Sequence, residues 1–159
     1  MNEENRQTPG FEHLYYIEVE VDKVINCGKI PEGKYMTIPI TGGWFEGERM
    51  KGSVLPMGAD WNTMPSGLRS HVSTRYVLRT DDGTIISLFT DGRAYYSPAA
   101  IPGMMAGNPD HSKYYFRQHL MFRAGNDKYA WLNDRIAFAV IGMTMGSERR
   151  ICYDAYMLS

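Results

Sequence analysis

Asp60 is the residue in this chain best suited to moving a proton. It stands in Gly58-Ala59-Asp60-Trp61, closing a segment from Thr41 that carries five glycines at irregular spacing. A carboxylate beside an indole at a loop end reads as a base at a pocket mouth. Burial that raises its pKa toward neutrality lets it accept a proton at physiological pH, and Trp61 supplies an apolar wall. The plainer reading is that Asp60 caps loop amides while Trp61 plugs the end of the fold. Of four scattered histidines, His13, His71, His111 and His119, the best second candidate for acid–base work is His119. Its strand face also carries Arg117, although a lone strand histidine usually serves structure.

Arg75 and Arg117 are the candidates for holding negative charge. Turned into a pocket, their planar guanidinium forks would grip a carboxylate or an enolate with two parallel hydrogen bonds. On an outer face they would instead be solvated or paired with Asp and Glu. Trp131 and Asn133, in Tyr129-Ala130-Trp131-Leu132-Asn133, share one face if that segment is extended. An indole N–H and an amide beside an apolar wall suit a mostly hydrophobic ligand. The alternative is core packing with a satisfied amide.

Several chemistries lack their signatures. No histidine pair has the i, i+2 or i, i+4 spacing of a metal site, and Cys27 and Cys152 fall in no CxxC or Cys/His pattern. There is no GxSxG, Walker loop or dinucleotide fingerprint. No cofactor and no metal are therefore expected. The net charge of −1 and a pI near 6.4 give no electrostatic case for nucleic acid or an anionic membrane. The polar start MNEENRQTPG lacks the apolar stretch of a signal peptide, and no apolar run approaches the ~18 residues of a membrane helix. A cytoplasmic protein with two reduced thiols is the expectation. The acidic face of the first strand, Glu18, Glu20 and Asp22, argues against a membrane barrel.

The elements that must position these residues are strands. Tyr15, Ile17, Val19 and Val21 alternate with Tyr16, Glu18, Glu20 and Asp22, which is the period of a half-buried strand. Val72, Thr74, Tyr76 and Leu78 alternate in the same way against His71, Ser73, Arg75 and Val77. Asp81-Asp82-Gly83 is a hairpin signal with Thr84 to Thr90 returning, and Asp91-Gly92 reads as a further turn. Lys34 to Thr41, Trp44-Phe45, Arg49 to Leu55 and Tyr114 to Arg123 read as strands. Ile136 to Thr144 and Arg149 to Leu158 make a closing pair joined at Met145-Gly146-Ser147. Pro56 to Gly67 reads as a loop, Tyr129 to Asn133 as a short strand or one helical turn, and Ser97 to Asp110, with three prolines, as a broken loop and candidate lid.

Eight to ten strands, little helix and turns every 8–12 residues predict an all-β protein. A closed antiparallel β-barrel is favoured because closure removes exposed edges. Residues 1–10 read as a flexible tail and 11–159 as one domain; 13% aromatic content, with eleven tyrosines, suits pleated half-buried surfaces. The glycines from Gly42 to Gly58 are then the bends that let a sheet close, since only glycine takes positive φ without penalty.

The ordered set Gly42-Gly43, Gly52, Gly58-Ala59-Asp60-Trp61, Arg75-Tyr76, Asp82-Gly83, Tyr115-Phe116-Arg117 and Tyr129-Ala130-Trp131-Leu132-Asn133 resembles one family over nearly the whole chain from about residue 12. This is the group of small bacterial and fungal proteins catalogued as domain of unknown function 3237. The resemblance implies a single-domain antiparallel β-barrel. For some members an isomerase or cyclase role on aromatic or polyketide-like substrates has been proposed, and it makes inward-facing arginines as reasonable here as outward ones.

Three functional readings follow. The favoured one is a barrel that binds an apolar or aromatic small molecule, with Trp61, Arg75, Arg117, Trp131 and Asn133 as ligand contacts. The second is a cofactor-independent isomerase or cyclase in which Asp60 or His119 moves a proton. The third is a packed barrel whose surface mediates homodimers or higher homo-oligomers.

Overall fold

A computed structural model describes residues 6–144 and 149–159; the turn expected at Met145-Gly146-Ser147 and the first half of the expected tail lie outside the described residues. The elements run β1 (Phe11–Val21), β2 (Ile25–Ile30), β3 (Gly33–Glu46), β4 (Lys51–Ser66), β5 (Arg69–Thr80) and β6 (Ile85–Tyr96), then α1 (Ile101–Met105), β7 (Tyr114–Ala124), β8 (Ala137–Thr144) and β9 (Arg150–Leu158). Short 3-10 turns cover Pro98–Ala100, His111–Lys113 and Ala130–Asp134. The strands form one sheet in the order β1-β9-β8-β7-β6-β5-β4-β3-β2, and a further β1–β3 pairing closes it. Eight strands thus make an antiparallel barrel, with β2 as an extra strand on β3. No described helix is long and apolar enough to cross a membrane.

Alternation dictates which faces turn inward. Tyr15, Ile17, Val19, Tyr76, Leu78, Ile86, Leu88, Phe116, Leu120 and Phe122 are all buried, while their strand neighbours are partly or fully exposed, except Leu14, which is buried beside the β1–β9 register irregularity. One half of the interior is packed solid: Tyr15 meets Phe45 at 5.5 Å and Phe122 at 6.3 Å between ring centres. That end carries the β3–β4 turn, the β5–β6 turn and the β7–β8 connection. Leu132, on the 3-10 turn of that last connection, is buried.

Closure requires close backbone approach at two glycines. Gly43 has φ +136°, and a Cβ there would lie 2.1 Å from the Glu18 carbonyl oxygen. Gly58 has φ +94°, and a Cβ there would lie 2.0 Å from the Arg75 carbonyl oxygen. Both positions accept only glycine, for backbone and steric reasons together.

Several local expectations are corrected. Pro56 to Gly67 is no loop: β4 runs through it to Ser66. The β4–β5 register breaks between Val54 and Gly58, and Pro56 falls in that break, where no ladder N–H is demanded. Asp91-Gly92 is not a turn but lies inside β6, paired with His119 and Gln118. Trp44-Phe45 is the end of β3 rather than a separate strand. The prolines of Ser97 to Asp110 do not prevent helix; Pro98 and Pro102 occupy first-turn positions, where a missing N–H costs nothing. The strand-or-turn segment at Tyr129 to Asn133 is 3-10, and β2 has no counterpart in the expected strands.

Candidate functional site

The second end of the barrel carries the β1–β2–β3, β4–β5 and β6–β7 connections, the end of β8 and the start of β9, and its interior is not filled. A cavity of about 90 Å³ lies there, partly open to solvent, and the whole depression with its mouth spans about 560 Å³. Val19, Ile38, Ile40, Val72, Phe116 and Ile151 supply apolar walls. The polar lining is Asp60, Asn62, Thr74 and Gln118, with the hydroxyl-bearing rings of Tyr76, Tyr96 and Tyr153.

Asp60 reaches this lining because β4 passes the break at Pro56 and re-enters the ladder opposite β5. Its Oδ1 accepts the Ser73 backbone N–H at 3.1 Å and its Oδ2 accepts the Asn62 side-chain amide at 3.0 Å. Ser70 Oγ donates in turn to Asn62 Oδ1 at 2.6 Å. Burial pushes the Asp60 carboxyl up to about 6 against the pull of Asn62, the Ser73 N–H and His71. The raised value means that desolvation outweighs both hydrogen bonds.

The remaining polar groups are neutral. Burial raises Tyr76, Tyr96 and Tyr153 well above the ordinary tyrosine range, and Tyr96 is pushed further by Tyr114 and Asp60. The Tyr76 and Tyr153 hydroxyls are hydrogen-bonded to each other. The Thr74 and Thr90 hydroxyls share a bond of 2.5 Å. Gln118 is 6% exposed, lines the cavity, and its amide makes no hydrogen bond among the described residues. No lysine, arginine or histidine is among the lining residues.

Of the sequence-level candidates, Asp60 is the one on the cavity wall. Trp61, next along β4, faces outward and is 38% exposed. Arg75 is exposed on the outer face of β5 with its guanidinium 5.4 Å from the Phe89 ring centre. Arg117 lies over Tyr115 on the outer face of β7 at 5.0 Å and donates to the Phe116 carbonyl at 2.8 Å. His119 is exposed on that same outer face. Trp131 and Asn133 belong to the packed end: Arg49 stacks on the Trp131 ring at 3.6 Å, and the indole N–H donates to Lys128 O at 3.1 Å. The Asn133 amide accepts from Ala124 N at 2.9 Å and donates to Ala124 O at 2.8 Å. Asp60 therefore does not converge with His119 or with either arginine.

Asn62 and Gln118 are the lining residues that sequence reasoning missed most clearly. Asn62 shares a face with Asp60 once Pro56 to Gly67 is a strand. Gln118 is the polar residue on the otherwise apolar face Phe116, Leu120 and Phe122. Ala100 and Met104 are buried and seat the Ser97 to Asp110 segment, yet none of its residues lines the cavity. Among the described residues, no three His, Cys, Asp or Glu side chains cluster as metal ligands would.

Fold and cavity together define a small antiparallel barrel with an apolar pocket at one end, in which Asp60 is the carboxylate among the described lining residues. A family described as "Protein of unknown function (DUF3237)" matches residues 9–158, and the chain belongs to it. A UPF0311 protein of Clostridium acetobutylicum is 31% identical over 134 residues, covering 83% of this chain and 85% of that protein. A solved beta-barrel like protein from Acinetobacter baumannii is 35% identical with a TM-score of 0.84, covering 98% of this chain and 99% of that one. A solved enzyme from Penicillium herquei shares the fold at a TM-score of 0.70 and 18% identity, covering 98% of each chain.

Proposed function

We propose that this protein binds a small apolar molecule whose leading end enters the cavity beside Asp60. The observation that carries the reading is an unfilled apolar space at one end of a barrel that is otherwise packed. Leaving 90 Å³ unfilled forgoes packing contacts that larger lining side chains would otherwise make, at a cost in stability. A barrel serving only stability or oligomerisation has no use for that cost. The 90 Å³ space has room for about three waters at ~30 Å³ each, so it takes one ring or a short chain. The body of a larger ligand would lie in the mouth. A cytoplasmic setting agrees with the two free thiols, Cys27 and Cys152.

A second reading, proton-transfer catalysis by an isomerase or cyclase, is favoured by Asp60 itself. A carboxyl titrating near 6 is ionised at pH 7 and still basic enough to take a proton from an activated carbon or hydroxyl. The Gln118 amide, on the cavity wall, would donate to the developing oxyanion. The arginines and His119 play no direct part in this scheme.

Native mass spectrometry of protein purified from its host tests binding, the expected result being a retained small molecule that denaturation releases. Protein that arrives empty, and whose Asn62 and Gln118 side-chain amide NMR signals ignore apolar fragments, would sink the proposal. With the retained molecule identified, Asp60→Asn separates the two readings. Loss of turnover in the ligand-saturated variant marks a base, whereas no chemical change with either protein marks a carrier.

A further inference from the structure

We infer that the ligand leads into the cavity with a hydrogen-bond donor, an ammonium or a hydroxyl, and that molecules headed by a carboxylate are rejected. The inference rests on the ligand-binding reading above and adds the chemistry of the buried head group.

Charge is the first argument. Among the described lining side chains, Asp60 is the one that ionises near neutrality, since the lining tyrosines are held neutral by burial. No cationic side chain lines the same space. Arg75 and Arg117, which would have welcomed an anion, lie over Phe89 and Tyr115 on the outer surface. An anionic head would therefore sit against a buried like charge with no cation in the described lining to offset it.

Acceptor capacity is the second. Each Asp60 oxygen accepts one described hydrogen bond, from Ser73 N and from Asn62 Nδ2. A carboxylate offers about four lone-pair sites, so each oxygen can take one more donor. Asn62 cannot reverse to present its oxygen to the ligand without breaking its 2.6 Å bond from Ser70.

Gln118 gives a third and independent observation. It is almost wholly buried, faces the cavity and has no hydrogen-bond partner among the described residues. Its amide atoms are not sealed from solvent but open onto the cavity, so a ligand entering there meets them unpaired. A hydroxyl head can donate to Asp60 and accept from Gln118 at once, and an ammonium can donate to both groups. Both heads share the chemistry that the lining asks for, and they differ in whether charge or hydrogen bonding dominates.

Three probes of one shape test this: 2-naphthylmethylamine, 2-naphthylmethanol and 2-naphthoate, titrated at pH 7.5 against the folded full-length chain. The Asn62 and Gln118 side-chain NMR signals report occupancy of this cavity. The amine and the alcohol are expected to bind at least about tenfold more tightly than the carboxylate. An amine advantage over the alcohol assigns the preference to charge; equal binding assigns it to hydrogen bonding. In Asp60→Asn, checked for unchanged melting at pH 7.5, the carboxylate should come within about threefold of the alcohol. Carboxylate binding as tight as either other probe in the wild-type chain overturns the inference, and so does an unchanged ranking in the variant. In both of those cases the ligand-binding reading survives. Binding of none of the three, with no molecule retained from the host, removes both.

Discussion

Asn62 donates its amide to Asp60 Oδ2 at 3.0 Å from two residues further along the same strand. Its orientation is fixed from the neighbouring strand, where Ser70 Oγ donates to Asn62 Oδ1 at 2.6 Å. The pair makes the carboxylate a held group, with one oxygen tied to a side chain and the other to the Ser73 backbone. Desolvation still wins, because Asp60 titrates near 6.

Ser70→Ala tests that relay. The substitution leaves a buried Asn62 oxygen without its donor, at a cost of about 1–3 kcal/mol. Freed to turn, the Asn62 amide donates to Asp60 for less of the time. Its donation lowers the Asp60 pKa, so the Asp60 midpoint should rise. A carboxyl ¹³C titration reads the change; an unchanged or lower midpoint shows that Ser70 does not control the amide.

Asp60 also sets a pH dependence of stability. Its folded pKa of about 6 lies above the ordinary 3.8, so between those values the folded state binds more protons than the unfolded chain. The contribution is fully present below about pH 4 and is lost as pH rises through 6, amounting to about 3 kcal/mol in all. Asp82 and Asp110 carry the opposite sign, held low chiefly by Lys128 and by Ser112, and act below the same ordinary value of 3.8. Asp60→Asn should therefore flatten the fall in urea-unfolding free energy between pH 4 and 7. A variant whose curve stays parallel to the wild type refutes the assignment.

The strands were legible wherever one face is apolar and the other wet. Val72 to Leu78 and Tyr15 to Val21 alternate without interruption, and in the structure one alternate set of each is buried, with Val21 at the end only partly so. Prolines and glycines misled where the sheet uses them in place of a loop. Pro56 sits in a register break of β4, and Gly92 sits inside β6 because a Cβ there would come within 2.3 Å of Gln118 Cγ. Reading Pro56 to Gly67 as a loop hid Asn62, since only a strand puts it on the same face as Asp60. Arg75 and Arg117 show the converse limit. Alternation says that they oppose Tyr76 and Phe116, yet it does not say which face of an unclosed sheet becomes the inside.

Asn133→Ala should loosen the packed end and leave the cavity alone. The Asn133 amide satisfies both the N–H and the carbonyl of Ala124 at the end of β7. Losing the two bonds costs about 1–3 kcal/mol, or roughly 2–12 °C in melting temperature for a chain of this size. Asp60 lies at the opposite end of the barrel, so its ¹³C titration midpoint should not move. A shifted midpoint would mean that the two ends are coupled through the core.

Gly58 is the position where sequence, closure and site meet. If the ladder ran straight from the Val54–Leu78 pair, Asp60 would face Val72; instead it pairs with Thr74. The break between Val54 and Gly58 takes up two extra residues of β4 and so places the carboxylate. Gly58 holds it with φ +94°, its α-carbon pressed so near β5 that a Cβ would meet the Arg75 oxygen at 2.0 Å. Gly83, in the β5–β6 hairpin, has a similar φ of +86° but nothing within 4 Å of its Cβ position. Gly83→Ala therefore carries the backbone penalty alone, about 1–2 kcal/mol, and should fold with a lower melting temperature. Gly58→Ala adds a backbone clash that no side-chain rotation relieves. It should lose at least twice as much stability or fail to accumulate as soluble protein. In any folded fraction the Asp60 midpoint should move toward the ordinary 3.8 as the carboxylate leaves its buried place. Equal losses for the two variants would show that backbone conformation alone makes Gly58 necessary, and that β5 does not press on it.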